Sequence, residues 1–302
     1  MNKILRTPES YFEDLKDYPF HPHFVKVNNL QIHYVDEGPV DARPVLLLHG
    51  VPAWSYLYRH LIKIISESGC RVIAPDLIGF GKSDKPLKAK SHSYQSHVEW
   101  ITEFINKLNL KEITLFCHDW GSLIGLRIAA QCPDLFKGII VSNGMLPAGK
   151  HKINPVFKLW RYFARYSPFI PVDLAIEVGA LRKLDKEEKK AYRAPFPSSK
   201  YKAAIRALPS MVPISPNDAE SIINKQLWKS LSRWEKPFLT IFGNRDPMTK
   251  GGDLYMQKRI PGAAGQNHLR FEAGHFIQED KFEELAEIII GFHKKSVTEP
   301  VD

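Results

Sequence analysis

Short uninterrupted apolar runs alternate along this chain with stretches whose apolar positions recur every three or four residues. The runs are VLLL at 45–48, RVIAP at 71–75, ITLF at 113–116, GIIV at 138–141 and FLTIF at 238–242. Runs of this length and composition suit strands buried on both faces of a parallel sheet. Between them, Leu57, Leu61, Ile64 and Ile65, and then Trp100, Phe104, Ile105 and Leu108, mark one face of a helix each. FVKVNNLQIHYVD at 24–36 alternates instead, and predicts a hairpin turning at Asn28 and Asn29. A short strand at His268–Phe271 and a helix through Leu285, Ile288 and Ile289 close the chain. Strands alternating with helices predict an α/β fold with a mostly parallel central sheet and helices on both faces.

The alternation stops from about Leu146 to Leu227. There, amphipathic pieces at 157–165, 185–192 and 201–207 are separated by Pro-rich breaks, APFP at 194–197 and VPISP at 212–216. The expected organisation is one core interrupted by an insertion: core residues 1–146, a helical cap over 147–222, and core residues 223–302.

Ile113–Ala129, ITLFCHDWGSLIGLRIA, reads as a strand, a sharp turn and a helix, with Asp119 at the turn. This geometry lifts the turn residue above the sheet edge and exposes its side chain. A carboxylate there is ionised at neutral pH and can displace a leaving group from a saturated carbon, forming an ester with the enzyme. Water must then attack that ester with help from a His base and an oxyanion hole. Taken singly, Asp119 could equally cap the helix that follows it.

Ligands in open α/β sheets bind beyond the carboxyl ends of the strands. Four polar signals fall at such ends: His49-Gly50, Asp119-Trp120, Asp246 and Gly274-His275. Nucleophile, acid and His follow one another in the chain order of the α/β-hydrolase triad.

The chain resembles the haloalkane dehalogenases of the α/β-hydrolase superfamily over nearly its whole length. The segments that carry the resemblance are LLLHGVPAWSYLYR, APDLIGFGKSDKP, CHDWGSLIGL, FGNRDP and EAGHF. It implies the α/β-hydrolase fold with an inserted helical cap, Asp119 as nucleophile, His275 as base and Asp246 as the acid that orients it. One branch of the family places a carboxylate after the strand following the elbow. That position is Asn143 here, which points to the branch with a late acid. The same branch holds the departing halide with two indole N–H groups, implying Trp120 and, in the Phe157-Lys158-Leu159-Trp160 context, Trp160. Trp160 could instead pack in an apolar stripe with Phe157 and Phe163. Trp54, Trp100, Trp228 and Trp234 are assigned to packing. The oxyanion hole is expected from the backbone N–H groups of Val51 and Trp120, and Val51 stands where related chains carry a polar residue.

The expected reaction is hydrolysis of a halogenated aliphatic compound to an alcohol, a halide and a proton through an aspartyl ester, a detoxifying chemistry. The alternative is an epoxide hydrolase using the same Asp, with Tyr162, Tyr166, Tyr192 or Tyr201 of the insertion as acids. A ligand-binding protein without turnover is a further class, opposed by the intact set Asp119, Asp246 and His275. An esterase would need Ser at 119, and a fluoroacetate dehalogenase Arg at 120.

Composition narrows the remainder. The 302 residues are 44% hydrophobic and 25% charged, ordinary for a globular protein. No run suggests a signal sequence or a membrane span. Cys70, Cys117 and Cys132 are too few and too scattered for a disulfide framework or zinc site, so they are expected reduced and buried in a cytoplasmic protein. Of the net charge of +9, an excess of 8 sits between Lys150 and Lys202, with 13 Lys and Arg against 5 Asp and Glu. Without a nucleic-acid-binding motif, this excess reads as a solvated helical surface. No cofactor, metal, nucleic acid or membrane partner is expected. The expected partners are a small apolar halogenated substrate, water and halide, with the chain a monomer.

Overall fold

The computed structural model of the chain describes residues 3–149, 154–167 and 169–298. Ten strands run in chain order: β1 Ile4–Leu5, β2 His23–Val27, β3 Leu30–Glu37, β4 Pro44–Leu48, β5 Arg71–Pro75, β6 Lys85–Pro86, β7 Ile113–His118, β8 Phe136–Ser142, β9 Phe238–Gly243 and β10 Leu269–Phe271. Eight of them form one sheet in the order β10-β9-β8-β7-β4-β5-β3-β2. Pairing is parallel from β10 through β5, and antiparallel where β3 joins β5 and β2 joins β3. The hairpin turns at Asn28 and Asn29, both at positive φ, as the Asn-Asn pair allows.

Every residue of β4, β7 and β9 is buried. Successive side chains point to opposite faces of a strand, so both faces of the sheet's centre are covered. One covering group is α1 (Arg59–Glu67) with α11 (Phe282–Thr298). A second is α2 (Tyr94–Lys107) and α3 (Trp120–Gln131) with α8 (Ala219–Leu231). This matches the doubly covered sheet that the apolar runs imply.

Between β8 and β9 the chain is helical: α4 Pro155–Tyr166, α5 Val172–Gly179, α6 Lys186–Arg193, α7 Ala203–Met211 and then α8. Pro155 opens α4 at its first position, where a missing N–H costs nothing, and the Asn154 side chain caps it. Asp185 and Glu188 cap α6 reciprocally. Residue 222, the expected end of the cap, falls inside α8. That helix is fastened to α3 by Arg127, which donates to Asn224 at 2.8 Å and Glu220 at 2.6 Å. After β9 come α9 (Gly252–Gln257), β10, α10 (Ile277–Asp280) and α11.

Cys70 and Cys117 are buried as expected, but Cys132 is half-buried at the end of α3; all three are unpaired. Among the described residues, no helix is long and apolar enough to cross a membrane.

Candidate active site

Asp119 sits between β7 and α3 with φ 48° and ψ −118°. A side-chain-bearing residue is strained at such a φ, and the strain is held by packing on either side of the turn. A Cβ on Gly121 would lie 1.9 Å from the Leu48 carbonyl oxygen, so only glycine lets α3 close onto β4 there. A Cβ on Gly50 would meet the Asp119 carboxylate at 2.4 Å, which lets the loop after β4 lie directly against it.

The Asp119 carboxylate accepts no hydrogen bond from α3, so it does not serve as that helix's cap. Its Oδ1 accepts the Val51 N–H at 2.8 Å instead. His49 steadies this loop. Its Nε2 accepts from the Leu77 N–H at 2.9 Å, so the ring proton is on Nδ1 and goes to the Gly50 carbonyl at 2.8 Å. The other oxygen, Oδ2, lies 3.7 Å from His275 Nε2, close enough for an ion pair and too long for a hydrogen bond.

His275 follows β10 and Asp246 follows β9. His275 Nδ1 donates to Asp246 Oδ2 at 3.0 Å. Asp246 is buried and also accepts from Asn143 Nδ2 at 2.8 Å, the Met248 N–H at 2.7 Å and the Thr249 hydroxyl. Burial by itself would raise its pKa; His275 and these donors outweigh it and hold the carboxyl well below the usual range. Burial likewise opposes ionisation of Asp119, and His275 with the Val51 N–H again keeps it below the ordinary value. Desolvation pulls the His275 pKa down, yet Asp246 and Asp119 together raise it to about 10. The imidazole is therefore a cation while both carboxylates are charged.

Trp120, at the first position of α3, is buried with its ring edge-on to Tyr94, centroids 5.1 Å apart. Tyr94 donates to the Leu123 carbonyl at 2.8 Å and lies under the Arg127 guanidinium, 3.4 Å from the ring centroid. Trp160 lies on α4, half-buried. Neither indole N–H has an acceptor among the described residues. Trp54 and Trp228, in contrast, donate to the carbonyls of Ala191 and Leu146 at 3.2 and 2.9 Å.

Asp119, Trp120, Trp160, Val51 and His275 all line one cavity of about 990 Å³, bounded on the insertion side by α4 and α5. The rest of its wall is mainly apolar, including Leu123, Met145, Phe157, Phe163, Leu174 and Ile214. Tyr162, Tyr166, Tyr192 and Tyr201 do not line it. Tyr192 instead donates to Glu279, and Tyr162 and Tyr166 are exposed.

A family profile described as "alpha/beta hydrolase fold" matches residues 43–282. A haloalkane dehalogenase of Mycolicibacterium paratuberculosis is 50% identical over 296 residues, covering 96% of this chain and 98% of that one. The chain belongs to the haloalkane dehalogenase family. A second member, from Psychrobacter cryohalolentis, is 48% identical over 296 residues, 96% of this chain and 98% of its own. Among solved structures, the tetrameric haloalkane dehalogenase of Paraglaciecola agarilytica NO2 superposes with a TM-score of 0.87 at 30% identity, covering 99% of each chain.

Several residues of this haloalkane dehalogenase shape the site through contacts that the sequence does not disclose. Asn143, at positive φ, accepts the Asp119 N–H on its carbonyl at 3.2 Å and the Gly243 N–H on its side chain at 3.1 Å, besides donating to Asp246. It thereby connects the ends of β7, β8 and β9. His118 is buried and bonds through Nε2 to the His275 carbonyl at 2.8 Å. Burial, aided by the neighbouring His275 cation, pushes its pKa down to about 4, so it is a neutral donor at Nε2. Asp76 fastens the Gly-rich loop after β5 by accepting from His33, the Ser55 N–H and the Lys82 N–H at 2.7, 2.8 and 2.8 Å. The GFGKSD pattern announces a tight loop, but the buried carboxylate inside it emerges only from the packing.

Proposed function

We propose that this haloalkane dehalogenase works through Asp119, His275 and Asp246, with Trp120 and Trp160 receiving the halide. The observation that carries the reading is the division of labour between the two oxygens of Asp119. Oδ1 already accepts the Val51 N–H, and the Trp120 N–H, which does not bond the carboxylate in the resting site, is the proposed second donor, while Oδ2 accepts no hydrogen bond among the described residues. Oδ2 then attacks the halogen-bearing carbon, the carbon–halogen bond breaks, and the halide leaves with its electron pair. Indole N–H groups are donors without acceptor capacity, so they suit the growing negative charge and stabilise the transition state more than the ground state.

The ester formed at Oδ2 is uncharged, and His275 thereby loses one of the two carboxylates that hold its proton. That proton passes to solvent as the proton product, and the neutral ring, still oriented by Asp246, takes a proton from water as that water attacks the Asp119 carbonyl carbon. Charge builds on Oδ1, where the Val51 N–H stands ready. On collapse the Cγ–Oδ2 bond breaks, His275 gives its proton to Oδ2 of the departing alcohol, and the new Asp119 carboxyl, now holding the water's oxygen, ionises and returns its proton to His275. Water exclusion by the insertion strengthens each of these interactions, and on that ground we propose that residues 147–222 act as a cap.

The epoxide alternative needs an acid facing Asp119, and the four candidate tyrosines lie away from the cavity wall. Halide release from bromoalkanes and diol formation from epoxides, measured on the same preparation, test the choice. Diol formation without halide release would reverse it. A monomer in the cytoplasm completes the proposal, supported for the compartment by three unpaired cysteines. Sedimentation velocity tests the monomer, and a tetramer, as in the Paraglaciecola relative, would replace it.

A further inference from the structure

Helix α4 has the sequence PVFKLWRYFARY, and its two faces differ sharply. Phe157, Trp160 and Ala164 turn one edge of its apolar arc inward, half-buried or buried, but Val156, Leu159, Phe163 and Tyr166 continue that arc into solvent. Leu159 is 70% exposed and Tyr162 65%. Phe169, in the link to α5, is 69% exposed, and Val178 on α5 is 77% exposed, with Leu174 and Leu181 beside it in sequence and also exposed. Val156, Leu159, Phe163, Leu174, Val178 and Leu181 also line the cavity. The apolar wall of the active site therefore continues outward as one platform around its mouth, a feature that marks an interaction surface.

The charge on α4 has one sign. Lys158, Arg161 and Arg165 occupy the polar arc of α4, and the sequence has no Asp or Glu between Asp134 and Asp173. The acids of α5 are already engaged: Asp173 pairs with Arg193 at 2.9 Å and Glu177 with Lys189 at 2.9 Å, both on α6. A second copy packed α4 against α4 would oppose Lys158 and Arg165 to their own equals, with no carboxylate on either helix to offset them. An anionic lipid surface has the complementary sign and an apolar interior. A basic helix with exposed Leu, Phe and Tyr on its other face is suited to lie in that interface.

We propose that the α4–α5 face docks this protein on anionic phospholipid membranes, with the mouth of the cavity toward the acyl chains. Apolar halocarbons concentrate in bilayers, and a mouth continuous with the bilayer interior receives them without a transfer through water. The absence of a spanning helix does not bear on docking of this kind. The inference takes its substrate class from the proposed function but rests on the surface itself.

The test is co-sedimentation of the whole protein with vesicles of phosphatidylcholine alone and of phosphatidylcholine mixed with phosphatidylglycerol. Binding is expected to the mixed vesicles, falling as salt rises. Near a charged surface each basic residue contributes on the order of 1 kcal/mol, so Lys158→Gln with Arg165→Gln should weaken partition by about thirtyfold. Tyr162→Ser with Tyr166→Ser should weaken it independently of salt. Far-ultraviolet circular dichroism establishes that the variants are folded. Wild-type protein that stays in the supernatant with mixed vesicles at low salt overturns the proposal. So does unchanged partition of the folded Lys158/Arg165 variant, or sedimentation velocity showing a dimer that Tyr162→Glu dissolves. If such a protein still releases halide from 1-bromobutane, docking fails while the proposed reaction stands.

Discussion

Gly50 has a Cβ position already occupied by the Asp119 carboxylate, so Gly50→Ala must displace either that carboxylate or the loop that supplies the Val51 N–H. Loss of one oxyanion donor typically costs about 10²–10³ in rate, and halide-release assays of this variant are expected to show a fall of at least that order. Trp160→Phe keeps an aromatic ring and deletes the N–H. Dehalogenation should drop by a similar factor with little change in melting temperature, whereas a Trp160 that only packs would leave the rate intact. Titration of His275 offers a second readout. Its pKa is raised from 6.5 to about 10, so between those values the folded protein binds more protons than the unfolded chain. Its contribution to stability is thus complete below about pH 6.5 and disappears as pH rises through about 10. Melting temperature should decline across that window in the wild type and more gently in His275→Phe. The residues named from the sequence lie after strands: Asp119 and Asp246 follow apolar runs that are self-evident, and His275 follows the short strand Leu269–Phe271. Asn143 and His118 also follow or end strands. Their work is done by hydrogen bonds to groups distant in the chain, which no local pattern encodes.

At the scale of elements, buried strands and long amphipathic helices were legible because burial on two faces, or on one, dictates the apolar period. The two-residue pair β1 and β6 was not legible, since Ile4-Leu5 and Lys85-Pro86 are too short to show any period. Nor was the attachment of the insertion. Arg59 at the start of α1 and Arg182 before α6 converge on Glu279 of α10 and Glu188 of α6. Arg59 reaches Glu279 at 2.6 Å and Glu188 at 3.1 Å, with all three side chains buried. Two guanidinium and two carboxylate groups from separate segments compensate one another there, and removing one leaves a buried charge short of its partner. Arg59→Met is expected to destabilise the protein by about 3–5 kcal/mol in urea denaturation. Burial opposes ionisation of Glu279, but Arg59 and Arg182 outweigh it and bring the pKa from 4.5 to about 2. The folded state therefore binds fewer protons than the unfolded chain in that range. Stability should fall as pH drops from about 4.5 to about 2, and the slope should be shallower in Glu279→Gln.

For the whole molecule, a cavity of about 990 Å³ with a mainly apolar wall is far larger than a two-carbon dihalide requires. Each buried methylene contributes about 0.8 kcal/mol, close to a fourfold gain, so kcat/KM for 1-bromoalkanes should climb with chain length from ethyl to hexyl. A flat series would show that the cavity contracts around small substrates. The strand order has a further consequence, in time rather than in space. Asp119, Asn143, Asp246 and His275 follow β7, β8, β9 and β10, four adjacent strands, yet the junction between β8 and β9 joins chain segments separated by the entire insertion. Closing so long a loop is entropically costly and slow relative to pairing the neighbouring strands of the first half. During synthesis or refolding, a chain holding only the first half displays Asp119 at a finished elbow with neither Asp246 nor His275 beside it. Regained catalysis should accordingly trail regained secondary structure, and enzymatic turnover becomes a clock for the final step of assembly.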